Sequence, residues 1–260
     1  MAETSIHPTA VVHDGARIGR GAFIGPYCVV GEDVAIGDGA RLESHVVIGG
    51  RTTIGAECVI SPMASLGGAP QDLKYAGEPT SLEMGARNRV REFVTLNRGT
   101  PGGGGATRVG DDNLFMAYSH VAHDCTVGSR TIFANGATLA GHVEVGDDAT
   151  VGAYSGVHQF CRVARFAFVG GYSVVTQDAL PWVLTVGNRA TSHGVNIVGL
   201  KRRGYPPEVV EGIKKCYMTL FRSRLLLDEA VARVESELGH LEEIRYFLDF
   251  VRTSKRGVTR

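Results

Sequence analysis

Four of the nine histidines in this chain, His120, His123, His142 and His158, fall within a stretch of 39 residues. His123 stands in the string HVAHDC, His120 to Cys125, directly before Asp124. An imidazole titrates near neutral pH, so a histidine here can take a proton from a hydroxyl. A neighbouring carboxylate can hold the ring's tautomer and stabilise its charged form. Successive side chains of an extended strand point to opposite faces, so a His123–Asp124 pair requires a corner between them. Gly141 brings a second capability: with no side chain in the way, its N–H is open to an oxyanion. Two other chemistries remain open. Clustered histidines are zinc ligands, and Cys125 beside His123 is a thiol, although no other nucleophile motif accompanies it.

A six-residue rhythm decides which of these residues meet. Stepping in sixes from Ile6 through Val12, Ile18 and Ile24 to Leu66 meets only aliphatic residues. The phase returns at Met84, Val90 and Leu96, then slips by one, and from Val109 through Phe115 and Val121 to Val175 every sixth residue is apolar. Such a period fits neither a helix nor an alternating strand. It fits a repeat with one short strand and one corner per hexad, three hexads closing a triangular coil of eighteen residues. Glycine often follows the aliphatic residue (Gly19, Gly25, Gly31, Gly37) and is expected to supply unusual φ at the corner. Residues eighteen apart then stack. His123, Gly141 and Gln159 form one column, Asp124 and His142 the next, His120 lies near the adjoining corner, and His158 flanks Gln159.

Two segments break the rhythm, at about 68–83, containing QDLKYAGEPT, and at about 97–108, with Gly102 to Gly105 at its tip. Long loops on a repeat protein commonly lie on one face and carry function. After about residue 187 the rhythm stops. The expected organisation is a β-helix over 1–187 and a small helical part over 188–260. Helices are expected from Pro206 and Pro207, from an Asp228 N-cap, and over Glu242 to Arg252. This tail is expected to cap the open end of the prism.

Bulk properties narrow the class. Of 260 residues 43% are apolar, so a large core is available, and 35 glycines call for an architecture with many tight corners. Lys+Arg and Asp+Glu both number 27, so no net charge points to nucleic acid. The first residues show neither a basic nor an apolar signal region, and no apolar run is long enough to span a membrane. The five cysteines are odd in number and never paired as CxxC, which suits free thiols in a reducing cytoplasm.

The hexads resemble those of the hexapeptide-repeat transferases, which implies a left-handed parallel β-helix and a homotrimer with active sites between neighbouring prisms. The strings QDLKYAGEPT, NRGTPGGGGATRVGDDN, HVAHDCTVG, LAGHV, VHQFC and GVNIVGLKRRG occur in the order found in bacterial UDP-N-acetylglucosamine O-acyltransferases, and the likeness runs end to end. That resemblance implies transfer of an (R)-3-hydroxyacyl chain from acyl carrier protein to the 3-hydroxyl of UDP-N-acetylglucosamine, the first step toward lipid A, with no metal and no cofactor. It implies that His123 is the general base, Asp124 its partner and the Gly141 amide the oxyanion donor. It matches Asp72 and Lys74 to sugar- and phosphate-side contacts, and His120, His142, His158 and Gln159 to groups around the substrate. Asn196, Arg202 and Arg203 match residues toward the nucleotide and the phosphopantetheine arm, and Gly171 a position that sets acyl length. Phe166, Phe168 and Tyr172 are expected to crowd Gly171. The basic residues Lys201, Lys214, Lys215, Arg222 and Arg224 suit an acidic carrier protein. Two positions depart from the family: Val198 stands where it has glutamate, and Arg189 where relatives can have histidine. Trimeric β-helices of the γ-carbonic anhydrase type are the zinc-binding alternative. The N-acyltransferase of the same pathway carries an additional N-terminal domain, for which hexads beginning at Ile6 leave no room.

Overall fold

The computed structural model describes residues 3–260 as a left-handed parallel β-helix followed by a helical cap. Strands of mostly two residues stack into three sheets of eleven, nine and eight strands, which form the faces of a triangular prism. The first face begins at Ser5–Ile6, the second at Val11–Val12 and the third at Arg17–Ile18. Pairing is parallel with an eighteen-residue register, as in Ile6↔Ile24 and Val11↔Val29.

The core follows the hexads. Ile24, Val30, Leu42, Ile48, Ile60, Phe115, Phe133 and Val169 are fully buried and stack along the prism axis in one cluster. Each coil buries the faces of the aliphatic residues above and below it, so the core is a column and end coils lack one neighbour. Ile6, in the first coil, accordingly remains 48% exposed.

Glycine does not do at the corners what the sequence suggests. The left-handed residue lies three beyond most of the inward aliphatics, and there it is mostly not glycine: Tyr27, His45, Phe93, Asp124 and His142 have φ near +60°. That conformation costs a non-glycine residue about 1–2 kcal/mol. It also turns the N–H toward the coil below, where His45 donates to the Pro26 carbonyl and His142 to that of His123, both within 3.0 Å. The glycines directly after the aliphatic residue are needed for spacing instead. A Cβ on Gly37 would lie 2.5 Å from the Ala56 nitrogen, and one on Gly19 2.5 Å from that of Asp38.

Both insertions leave the prism between its second and third faces. Ile48 pairs with Leu66 eighteen residues on, Leu66 with Leu96 thirty on, and Leu96 with Val121 twenty-five on. The strands Ser65–Gly68 and Ser81–Met84 flank the first insertion, Thr95–Asn97 and Ala106–Val109 the second, so both loops are shorter than their sequence bounds suggest.

The last coil runs into an antiparallel hairpin, Val183–Gly187 with Ala190–Val195, which extends the first face. Four helices follow: α1 (Ile197–Arg202), α2 (Pro207–Arg222), α3 (Leu227–Leu238) and α4 (Glu242–Arg252). The hairpin and α1 carry no hexad and no long apolar stripe, and the sequence reading did not anticipate them. Pro206 is the N-cap of α2, as expected, but Leu226 rather than Asp228 is the N-cap of α3, and Asp228 lies in its first turn. The apolar sides of α2 to α4 pack on Trp182, Leu180 and Val183 and close the end of the prism. Arg162 ties the two parts together through Asp178, the Phe250 carbonyl and Thr253. No helix is long and apolar enough to cross a membrane among the described residues.

Candidate active site

The corner between the second and third faces carries the histidines. The strand His120–Val121 ends there, and the chain turns through Asp124 at φ +59° before the strand Thr126–Val127. This turn swings the Asp124 carboxylate onto the same side as the His123 ring, and Nδ1 of His123 lies 2.8 Å from Oδ2 of Asp124. The Asp124 side chain is completely buried, while His123 keeps an open edge. With Nδ1 engaged by the carboxylate, the proton-accepting position left to the ring is Nε2.

The stacking expected from the eighteen-residue coil is present. The His123 ring lies across Gly141 so closely that a Cβ there would sit 2.5 Å from Cε1 and 2.8 Å from Nε2. The N–H of Gly141 meets no acceptor among the described residues. His142 packs edge-on against His123 with ring centroids 5.1 Å apart, and stacks flat on Phe160 at 4.5 Å. His120 points outward one residue before Val121 and shares a 2.7 Å hydrogen bond between Nδ1 and the Thr95 hydroxyl. Burial holds its pKa below the usual histidine range, and neighbouring His123 adds to that. His158 lies two coils above His120, exposed, with Nδ1 3.1 Å from Nη2 of Arg256, and Gln159 beside it is exposed.

Sequence reasoning missed the groups that hold Asp124. The second insertion folds back onto it: the Thr100 N–H donates to Oδ1 at 2.8 Å and the Thr100 hydroxyl to Oδ2 at 2.6 Å. The Thr107 hydroxyl accepts the Asp124 N–H at 2.8 Å. Gly103 lies against the carboxylate so closely that any Cβ would collide with it. A tetraglycine tip one coil before the histidines was the available signal, but it does not say where the loop docks.

The other expected residues do not join this dyad, although the first insertion leaves from the same edge two coils earlier. Asp72 and Lys74 sit in the first insertion, where the Asp72 carboxylate accepts the Lys74 N–H, and neither contacts the histidines. Arg98 anchors that loop through the Tyr75 hydroxyl and the Gly67 carbonyl. Gly171 belongs to the edge between the first and second faces, next to Tyr172, which stacks on Tyr154. Phe166 does not crowd it: that ring lies near Trp182 and under Arg203 at the edge between the third and first faces. Asn196, Arg202 and Arg203 border a cleft of ≈480 Å³ over the first face, with Asp148, Phe166 and Val198. Asn196 caps α1 and Arg203 pairs with Asp148 at 2.9 Å.

The alternative chemistries can be weighed on this geometry. Donor atoms of His123, Asp124 and His142 lie within 4.8 Å of one another, close enough to surround a cation. The 2.8 Å His123–Asp124 contact, with two Thr100 donors on the same carboxylate, is instead the geometry of a hydrogen-bonded dyad. Burial pushes the Cys125 thiol up to about 12, and its Sγ faces the Ala140 carbonyl, so it supplies no thiolate near neutral pH.

Comparison with known proteins agrees in both parts of the chain. The family model described as UDP-N-acetylglucosamine O-acyltransferase, domain 2, matches residues 178–259, and the bacterial transferase hexapeptide model matches 15–50 and 106–141. A Thiobacillus denitrificans protein named acyl-(acyl-carrier-protein)–UDP-N-acetylglucosamine O-acyltransferase is 54% identical over 98% of this chain and 99% of its own. One of the same name from Alkalilimnicola ehrlichii is 51% identical over 99% of this chain and 100% of its own. The crystal structure of UDP-N-acetylglucosamine O-acyltransferase from Moraxella catarrhalis superposes with a TM-score of 0.96 at 44% identity, covering 98% of this chain and 99% of that one. LpxA from Acinetobacter baumannii gives 0.95 at 42% identity, with coverage of 98% and 99%. With near-complete coverage, a matching fold and the motif strings in order, this chain belongs to the UDP-N-acetylglucosamine O-acyltransferase family of hexapeptide-repeat acyltransferases.

Proposed function

We propose that this chain moves an (R)-3-hydroxyacyl group from the phosphopantetheine thioester of acyl carrier protein to the 3-hydroxyl of UDP-N-acetylglucosamine, the opening step of lipid A synthesis. The observation that carries the mechanism is the buried Asp124 carboxylate on His123 Nδ1, with the ring laid across Gly141. His123 Nε2 takes the proton of the sugar hydroxyl as its oxygen attacks the thioester carbonyl. The Gly141 N–H receives the oxyanion. Collapse breaks the carbon–sulfur bond, and the imidazolium returns its proton to the departing thiolate. A thioester is already activated, so a base, an oxyanion donor and positioning suffice, and the chemistry calls for neither metal nor cofactor.

The scatter of the remaining residues supports a homotrimer. Gly171, on the edge between the first and second faces, and the Asn196–Arg203 cleft, over the first face, lie away from the His123 corner, and one chain does not present them all to one substrate. Packing three prisms side by side sets another chain's edge against the histidine corner and completes the site. In that assembly Lys74 meets phosphate as a point charge, and the small Gly171 leaves room for a long acyl chain. For carrier protein the cations to consider are Lys201, Arg202 and Arg224, which have no ion pair among the described residues. Lys214 and Lys215 pair with Glu211 and Glu237, and Arg222 bonds the Ser192 carbonyl.

The test is turnover with a panel of acyl carrier protein and coenzyme A thioesters, UDP-N-acetylglucosamine as acceptor and product mass as readout. His123→Ala is expected to fold and sediment like the parent and to lose on the order of 10³-fold or more in kcat. Near-parental turnover in that variant would reject His123 as the base, and equal use of coenzyme A thioesters would reject the donor.

A further inference from the structure

We infer that the second insertion is a clamp on the catalytic aspartate and that Thr100 is its positioning residue, a role that rests on His123 acting as base. Two features place this beyond ordinary loop packing. First, Thr100 spends both of its donors on one buried carboxylate, its N–H on Oδ1 and its hydroxyl on Oδ2. Oδ2 is also the oxygen facing His123 Nδ1, so the Thr100 hydroxyl and the imidazole divide the same atom. Second, the remaining contacts fit the loop to that carboxylate. Gly103 leaves no room for a side chain beside it, the Thr107 hydroxyl takes the Asp124 N–H, and the turn is closed by the Gly103 and Gly105 N–H groups on the Thr100 carbonyl at 3.1 and 2.9 Å. Thr100 and Gly103 come from a segment that the repeat does not need, while Thr107 stands on the strand Ala106–Val109 beside it.

The consequence for the base follows from charge sharing. A carboxylate that donors already satisfy holds a neighbouring imidazolium less tightly than a bare one. Removing the Thr100 hydroxyl concentrates the Asp124 charge on His123, stabilises the protonated ring and moves the onset of its basic form to higher pH. The other titratable groups facing His123 are His142, edge-on to the ring, and His120 on the preceding strand; Gly141 covers its remaining face with backbone. His142 Nε2 also lies 3.8 Å from Asp124 Oδ2, so the displacement is assigned to the clamp by the comparison of Thr100→Val with Thr100→Ser, which both leave His142 in place.

The experiment compares Thr100→Val, which keeps the β-branch and the backbone donor, with Thr100→Ser, which keeps the hydroxyl. His123→Ala is measured alongside. Thr100→Val is expected to lower kcat about tenfold, leave KM for UDP-N-acetylglucosamine within about twofold, and raise the midpoint of the acidic limb of the kcat/KM–pH profile by about half a unit or more. Thr100→Ser is expected to restore both rate and midpoint. A Thr100→Val enzyme whose midpoint stays at the parental value, whatever its rate, overturns the proposal. So does a Thr100→Ser enzyme that fails to restore the midpoint. An active His123→Ala enzyme instead removes the reading beneath it, and the two failures are told apart in one set of assays.

Discussion

The sharpest test of the site is Gly141→Ala. The added methyl carbon would sit 2.5 Å from Cε1 of His123, 2.8 Å from Nε2 and 3.1 Å from Nδ1. Ordinary carbon contacts begin near about 3.5 Å, so the ring must retreat by about 1 Å. It is held by a 2.8 Å hydrogen bond to Asp124, itself clamped and fully buried, so the retreat stretches that bond and moves Nε2 off the hydroxyl that the proposed mechanism has it deprotonate. A misplacement of this size costs about 10²-fold in rate, or roughly 2.7 kcal/mol of transition-state stabilisation. The backbone should tolerate the change: φ at Gly141 lies outside the left-handed region. Replacing glycine by alanine at such a position tends to stabilise by about 0.4–1 kcal/mol through the unfolded chain, which offsets the steric cost. The expected outcome is a kcat down about a hundredfold, KM nearly unchanged and Tm within a few degrees of the parent. In a His123→Ala background the ring is gone, so Gly141→Ala should then cost far less, a non-additivity measured by a double-mutant cycle. A Gly141→Ala enzyme within about threefold of parental kcat would refute the claim that ring placement over this glycine matters.

Stability should depend on pH through His120. Burial keeps its folded pKa below the unfolded value of about 6.5, so the unfolded chain binds more protons as pH falls below that value. Its contribution is fully present above about pH 6.5 and is lost as pH falls from there through the folded pKa. Tm measured between pH 7 and 5 is expected to fall less steeply in His120→Asn than in the parent; parallel curves would show that His120 contributes nothing to the slope. The spacing role of the corner glycines predicts opposite outcomes for two similar changes. Gly37→Ala drives a methyl against backbone of the next coil and is expected to cost about 1–3 kcal/mol, whereas Gly49→Ala meets nothing within 4 Å and should be near neutral. Urea unfolding of both variants checks this, and equal effects would contradict it.

Much of the site was legible because a solenoid converts sequence separation into height. His123, Gly141 and Gln159 stack because eighteen residues return the chain to the same corner, and His123 pairs with Asp124 because that corner follows three residues after Val121. The same logic failed at the glycines. Periodicity shows that a small residue recurs, but whether it supplies φ or clearance depends on the coil beside it, and at Gly37 the answer is clearance. It failed also at Phe166, which shares a stretch of sequence with Gly171 and lies on a different edge.

The amino-acid sequence alone determined the repeat, the inward column from Ile24 to Val175 and the histidine register, because each of these follows from a constant period and the burial of one aliphatic per hexad. Only the tertiary structure decided where the interruptions go. That Thr100 and Gly103 close on Asp124, that both insertions leave from one edge, and that the Asn196–Arg203 cleft faces away from His123 all depend on loops and helices with no period to read. Their positions are set by contacts with residues distant in the chain, and such contacts leave no mark in local sequence.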